Sequence, residues 1–402
     1  MLGRVASTNQ ELRGGSAIDG SPDESAEERR DAIRRHLATA RRIVVKVGSS
    51  SLASARTGLD LSRLRSLVDA VAERHRRGSE MVLVTSGAIA AGLEPLGLRQ
   101  RPTDTAQQQA AAAVGQGLLL AAYTQAFADH GVRAAQVLLT QRDLAHHASY
   151  TNALRTFGAL TRLRVVPVVN ENDTVAIHEI RLGDNDHLAA LVAELVHADA
   201  LVLLTDVDGL YTAHPLDPAA QSIDYVERAT DLDVDAAQPG SNIGSGGMRT
   251  KIKAARLATA AGIPVALARW DQAGAVLAGE AVGTVFAASP KRLNRRQGWL
   301  AHASAVQGRI HVDAGAAAAL LTTPASLLAA GVRRVEGVFQ ADDSVEVVGP
   351  DGQPIARGIV AFDSADLPQM LGRNSSGLSA DLGPQFARPV IHRDDLVMND
   401  PT

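Results

Sequence analysis

Gly244, Ser245, Gly246, Gly247, Met248, Arg249, Thr250 and Lys251 form an unbroken run that suits a phosphate-binding turn. Glycines let the backbone take angles that other residues avoid, and a helix start presents unpaired N–H groups with partial positive charge. Lys251 adds a full charge. The run is not a Walker A loop, because Gly-Lys-Ser/Thr occurs nowhere, and no G-x-G-x-x-G is present to indicate a dinucleotide site. Alone it also reads as a plain surface loop. Four other segments change that balance. Lys46 lies inside the apolar run 43–47, where an unpaired ammonium is costly to desolvate. It needs an anion, either a buried carboxylate or a polyphosphate shared with Lys251. Ser86 and Gly87 open a small-residue stretch reaching Gly92, which lets a helix backbone approach a ligand or pack tightly on a sheet. Asn170, Asn172 and Asp173, with Gly183, Asp184, Asn185 and Asp186, are the densest set of donors and acceptors in the chain. Asp184 or Asp186 can cap a helix over 188–196, yet so many amides and acids exceed what capping needs. They suit an amino acid, with amides donating to its carboxylate and an aspartate facing its ammonium. Thr205 and Asp206 end the run 201–204, where Asp206 could hold a lysine, a magnesium-bound water or a nucleotide group, or simply form a turn.

The absences narrow the chemistry further. His146 and His147 are adjacent, not at metal-ligand spacing, and there is no H-E-x-x-H zinc motif or G-x-S-x-G nucleophile elbow.

These residues need a frame that gathers them. Apolar runs at 43–47, 81–85, 133–139, 165–169, 201–205 and 264–268 alternate with helix-length stretches such as 61–77 and 105–130. Continuous apolar strands alternating with helices imply a parallel sheet covered on both faces, whose ligands bind beyond the strands' carboxyl ends. Gly48, Ser86, Asn170 and Thr205 all stand at such ends. The expected fold class is α/β, a three-layer αβα sandwich around a mainly parallel sheet, with a small β-rich domain after it. Residues 1–40 read as a mobile extension, polar at first, with Ile33, Leu37 and Ala40 at helical spacing that suggests a short leading helix from Glu24 to Arg42. Residues 41–297 form the main domain. A basic link at 291–296 precedes the second domain at 308–388, marked by strand-like runs 344–348 and 355–362 around a Gly-Pro-Asp-Gly turn.

Composition excludes several functions. The 402 residues suffice for two or three domains. A net charge of −4 gives no general attraction for nucleic acid or anionic membrane, and 3% aromatic residues leave few rings to stack on bases. The absence of cysteine rules out disulfides and thiolate metal sites. No apolar run approaches the roughly 18 residues of a membrane span, and residues 1–30 lack a signal-peptide core. The expected location is cytoplasmic.

In their order, Val45 through Ser50, Thr85 through Gly92, Val168 through Asp173, Gly183 through Asp186, Thr205 with Asp206, and 244–251 resemble the motif series of the glutamate 5-kinase family, within the amino acid kinase superfamily. The tail from Gly308 resembles a PUA domain. The resemblance runs from Ile43 to about Arg393, leaves residues 1–40 outside, and finds Ser49 and Ser245 where threonine is common. It implies ATP- and Mg²⁺-dependent phosphorylation of the side-chain carboxylate of L-glutamate, giving glutamyl 5-phosphate on the way to proline. By this resemblance Lys46, Thr205, Asp206 and residues 245–251 face ATP. Ser86, Asp173 and Asn185, with Asn170 beside them, face glutamate. Lys46 and Lys251 flank the transferring phosphoryl group, and Asp186 holds both lysines. The resemblance also implies proline as a feedback inhibitor, a homodimer or homotetramer, and coupling to glutamate-5-semialdehyde dehydrogenase. The chemistry agrees: a glutamate carboxylate, with a pKa of about 4.3, is already an ionised nucleophile and needs no general base.

Two rivals remain at this stage. One is another carboxylate or carbamate kinase of the same fold. The other is an RNA-binding PUA protein, which the tail's six basic against nine acidic residues over 308–388 disfavours, since an RNA groove should be positive. No nucleic-acid partner is expected.

Overall fold

The computed structural model describes residues 25–54, 58–176, 185–213, 219–232, 247–289, 300 and 305–399. Strands β1 (Arg42–Val47), β2 (Glu80–Val84), β3 (Arg133–Leu139), β4 (Val165–Glu171), β5 (Ala200–Thr205), β6 (Tyr225–Val226), β7 (Val265–Arg269) and β8 (Thr284–Phe286) form one sheet. Their order is β6-β8-β7-β5-β1-β2-β4-β3. The pairings from β7 across to β3 are parallel, and only β8 runs against β7. The six apolar runs of the sequence are therefore the six parallel strands.

Alternate residues of the central strands feed opposite faces, as a pleated strand requires. Val44, Leu201 and Leu203 pack on one side, while Ile43, Val45, Val47, Val202 and Leu204 pack on the other. Helices α6 (Asn185–Leu195) and α7 (Met248–Ala260) cover the first face. The second is covered by α2 (Leu61–Arg76) and α4 (Thr105–Ala128). A short helix α3 (Ala88–Leu93) follows β2, and α5 (His147–Arg162) precedes β4. The result is the expected αβα sandwich.

Two sequence expectations need correction. Residues 25–40, grouped above with a mobile extension, carry the leading helix α1 (Ala26–Thr39), started by a Ser25–Glu28 capping box, but it is docked on the main domain. It buries Ile33 and Leu37 in the α2/α4 core, and Arg30 reaches Asp224 at 2.6 Å. Its spacing of apolar residues was helical because one face docks. Residues 1–24, the polar part of that expectation, lie outside the described residues.

The second correction concerns the tail. Strands β9 (Val306–Val312), β10 (Val332–Gly337), β11 (Ser344–Val348), β12 (Pro354–Ile359) and β13 (Leu396–Met398) form a separate sheet ordered β10-β9-β11-β12-β13. Val390, Ile391 and Leu396 belong to its core, so the unit continues past residue 388, where turn-rich sequence hid the closing strand. Ile359 also joins the core on the α6/α7 side of the main sheet, and Ala305 N–H donates to Ala145 O at 3.2 Å. The basic link at 291–296 lies outside the described residues.

Candidate active site

Four strand ends stand side by side. Lys46 of β1 is in register with Val84 of β2 and Leu203 of β5, and Val84 with Val169 of β4. Thr85 and Asn170 come directly after these residues and Thr205 one place further along β5, with Thr85 N–H donating to Val169 O at 2.8 Å. Tyr123, fully buried on α4, shares a 2.8 Å hydrogen bond with the Thr85 hydroxyl and so ties this edge to the helix layer.

The lysine question is answered by Asp186. Its side chain is fully buried in the first turn of α6, with Oδ1 2.5 Å from Lys46 Nζ and Oδ2 3.2 Å from Lys251 Nζ. Thr250 Oγ1 donates to the same Oδ2 at 2.8 Å. Lys46 is 1% exposed and Lys251 5%. Burial pushes the Asp186 carboxyl up, but Lys46, Lys251 and the hydrogen bonds outweigh it and hold the group below the usual carboxylate range. One anion thus sets the relative position of two ammonium groups, one from β1 and one from the first turn of α7. Gly247 caps that helix, and Met248, Arg249, Thr250 and Lys251 make its first turn. Ser245 and Gly246, also expected to face a phosphate, lie outside the described residues, as do Gly183 and Asp184.

On the β2–β4 side lies a chain of amides. Asn185 Nδ2 donates to Ser86 Oγ at 2.8 Å and to Asn170 Oδ1 at 3.1 Å. Asn170 Nδ2 donates to Gln116 Oε1 at 2.7 Å. Ser86, Asn170 and Asn185 are therefore brought together as expected. Both hydrogens of the Asn185 amide are thus donated within the protein. Asn172 leaves the group too: its oxygen accepts from Thr174 Oγ1 at 2.7 Å and closes a turn. Asp173 sits half-buried in that turn. Gly87 has φ 105°, a left-handed conformation that turns the chain from β2 into α3 and favours glycine. At the end of β5, Thr205 Oγ1 donates to Asp206 Oδ1 at 3.0 Å, and Asp206 is exposed.

Gln116 is the residue that sequence reasoning missed. A signal existed: it is the only polar side chain in the stretch 110–122.

Two buried lysines locked to one carboxylate thus stand beside a hydrogen-bonded cluster of amides and a serine. The amino acid kinase family matches residues 41–269, and the PUA domain matches residues 308–379. The chain belongs to the amino acid kinase family. Over 368 residues it is 52% identical to the glutamate 5-kinase of Thermobifida fusca, covering 91% of this chain and 95% of that one. It is 53% identical to the glutamate 5-kinase of Salinispora arenicola over 368 residues, 91% of this chain and all of the relative. For the glutamate 5-kinase of Cutibacterium acnes the identity is 53% over 357 residues, 89% and 91% of the two chains. As an amino acid kinase with a PUA tail it combines the two units that the sequence motifs announced. Among the described residues, no helix is long and apolar enough to cross a membrane.

Proposed function

We propose that this kinase is a glutamate 5-kinase, transferring the γ-phosphoryl group of ATP to the side-chain carboxylate of L-glutamate and yielding L-glutamyl 5-phosphate, the first step of proline biosynthesis. The observation that carries the reading is Asp186 holding Lys46 and Lys251 together beside the Ser86–Asn170–Asn185 cluster. Glutamate attacks as an ionised carboxylate, so the protein's task is to align two anions that repel one another and to place positive charge on the transferring group. Lys46 and Lys251 supply that charge, and Asp186 keeps them in a fixed relation before substrate arrives. Ser86, Asp173, Asn170 and Asn185 hold the amino acid. Thr205, Asp206 and residues 245–251 hold ATP.

The donor set also fits Mg²⁺ carried on the nucleotide. Among the described residues no three His, Cys, Asp or Glu side chains cluster as a metal cage, and a cation that keeps its waters and binds phosphate needs none. Asp206 is the carboxylate assigned to it; when bound, the ion neutralises charge on the phosphate oxygens. The reading extends to proline as a feedback inhibitor competing with glutamate, to a cytoplasmic location and to coupling with glutamate-5-semialdehyde dehydrogenase. Self-association into a dimer or tetramer is supported by Val114 and Leu118, 39% and 47% exposed on one face of α4.

The test is ATP turnover by the purified protein with L-glutamate, Mg²⁺ and hydroxylamine, which traps an acyl phosphate as hydroxamate. Hydroxamate is expected with L-glutamate and little with L-aspartate. Equal rates with aspartate, or none with glutamate, would overturn the assignment.

A further inference from the structure

The segment that begins at Asp206 is held only by its ends. Residues 206–209 make no backbone–backbone hydrogen bond among the described residues. The chain is fixed before them at Thr205, the last residue of β5, and after them at Leu210, which pairs with Ile223 in a short antiparallel ladder. Leu210 is buried, and its N–H donates to Thr284 Oγ1 at 2.8 Å.

Thr284 is fully buried at the start of β8, opposite Leu267 of β7. Gly283, just before it, has φ 67°, and a Cβ there would lie 2.1 Å from Leu267 O, so only glycine lets the chain enter β8 this close to β7. The roles of the Thr284 hydroxyl are then fixed. Leu210 N–H can only donate, so Oγ1 accepts from it, and the hydroxyl hydrogen goes to Ile223 O, which can only accept. One hydroxyl from a third strand therefore bridges the two residues that face each other in the ladder. A Cβ on Gly209 would lie 3.0 Å from the same Oγ1, so the last residue of the loop also rests near the hydroxyl.

Resting on the assignment of Asp206 to MgATP, we infer that Thr284 is a positioning residue for the nucleotide side of the site: through Leu210 it sets where residues 206–209 return to the core, and with that the stance of the loop that carries Asp206. Apolar packing of Leu210 seats its side chain without fixing the direction of its peptide, which the hydrogen bond does. Without the hydroxyl, Leu210 N–H and Ile223 O both lose this partner, and a loop with no backbone bonds of its own gains alternative conformations. The hydroxyl bonds neither lysine, nor Asp186, nor the amide cluster.

The experiment compares the parent with Thr284→Val, which keeps the shape but cannot hydrogen-bond, and with Thr284→Ser, which keeps the hydroxyl. The hydroxamate assay gives KM for MgATP and for L-glutamate, and amide hydrogen exchange is followed over 206–212 and over α7. Thr284→Val is expected to raise KM for MgATP on the order of 10-fold, because losing one net hydrogen bond lowers the population of the binding-ready loop by about that factor. KM for L-glutamate should stay near the parent value, exchange should quicken over 206–212 but not over α7, and Thr284→Ser should restore most of both losses. In the parent, saturating MgATP should slow exchange over 206–212 and L-glutamate alone should not, a comparison that survives a folding failure of either variant. An unchanged KM for MgATP in a folded Thr284→Val, a parallel rise of both KM values, or parent exchange over 206–212 that ignores MgATP would overturn the inference. A parent that shows the MgATP protection yet phosphorylates no glutamate would uphold it and defeat the functional reading instead.

Discussion

Replacing Asp186 by asparagine preserves the shape of the side chain and an oxygen for the Thr250 hydroxyl, but removes the charge that Lys46 and Lys251 share. Removing one partner of a buried ion pair costs about 3–5 kcal/mol, because the remaining charge stays buried. With about 2–4 °C per kcal/mol for a domain of this size, the melting temperature should fall by roughly 6–20 °C. The catalytic effect has a different signature. The lysines still attract the polyphosphate, so KM for ATP should not rise, whereas loss of preorganised charge should lower kcat by about 10²–10³-fold. Saturating ATP should restore part of the lost thermal stability, since its phosphates replace the missing anion. The hydroxamate assay and thermal melts with and without MgATP read all of this. A kcat within a few-fold of the parent, or a rise in KM for ATP with kcat intact, would refute the view that Asp186 sets the lysines for phosphoryl transfer. In the parent, the Asp186 carboxyl is depressed, so its stabilisation is present above the ordinary carboxylate pKa of about 4 and is lost only as pH falls through the lower folded value.

Lys251→Ala should lower kcat on the order of 10²-fold while the fold persists, checked by steady-state kinetics beside circular dichroism. Leu37→Ala, on the docked helix α1, should destabilise the protein by about 2–5 kcal/mol in denaturant titration, because the side chain is 1% exposed. His75 is held below its ordinary pKa, first by burial and then by Arg164, while its Nε2 bonds Arg164 O at 3.2 Å. Its contribution to stability is therefore present above the unfolded value of about 6.5 and lost as pH falls through the folded one. Melting temperatures between pH 8 and pH 5 should decline on acidification, and His75→Gln should flatten part of that slope.

The six parallel strands were legible because a strand buried on both faces must be apolar throughout, a local property of composition. The same logic made Lys46 conspicuous, since a charge inside such a strand requires a counter-charge. Asp186 and Lys251 were recognisable as candidates from their neighbours in the chain. Their convergence was implied by the family resemblance and not by any local pattern, because the packing of α6 beside α7 on one face of the sheet is what brings three distant residues to one point. Helix α1 had a helical pattern, but whether it docked depended on a groove built by residues far along the sequence. The closing strand β13 was hidden for a related reason: three residues carry too little periodicity to announce a strand, and its pairing with β12 decides it. Gln116 shows the division most clearly. Sequence marks it as the lone polar group in an apolar helix stretch, while its partner, Asn170, is set by where α4 lies against the end of β4. A hydrogen bond reaches only about 3 Å, so that pairing exists only once the chain has folded.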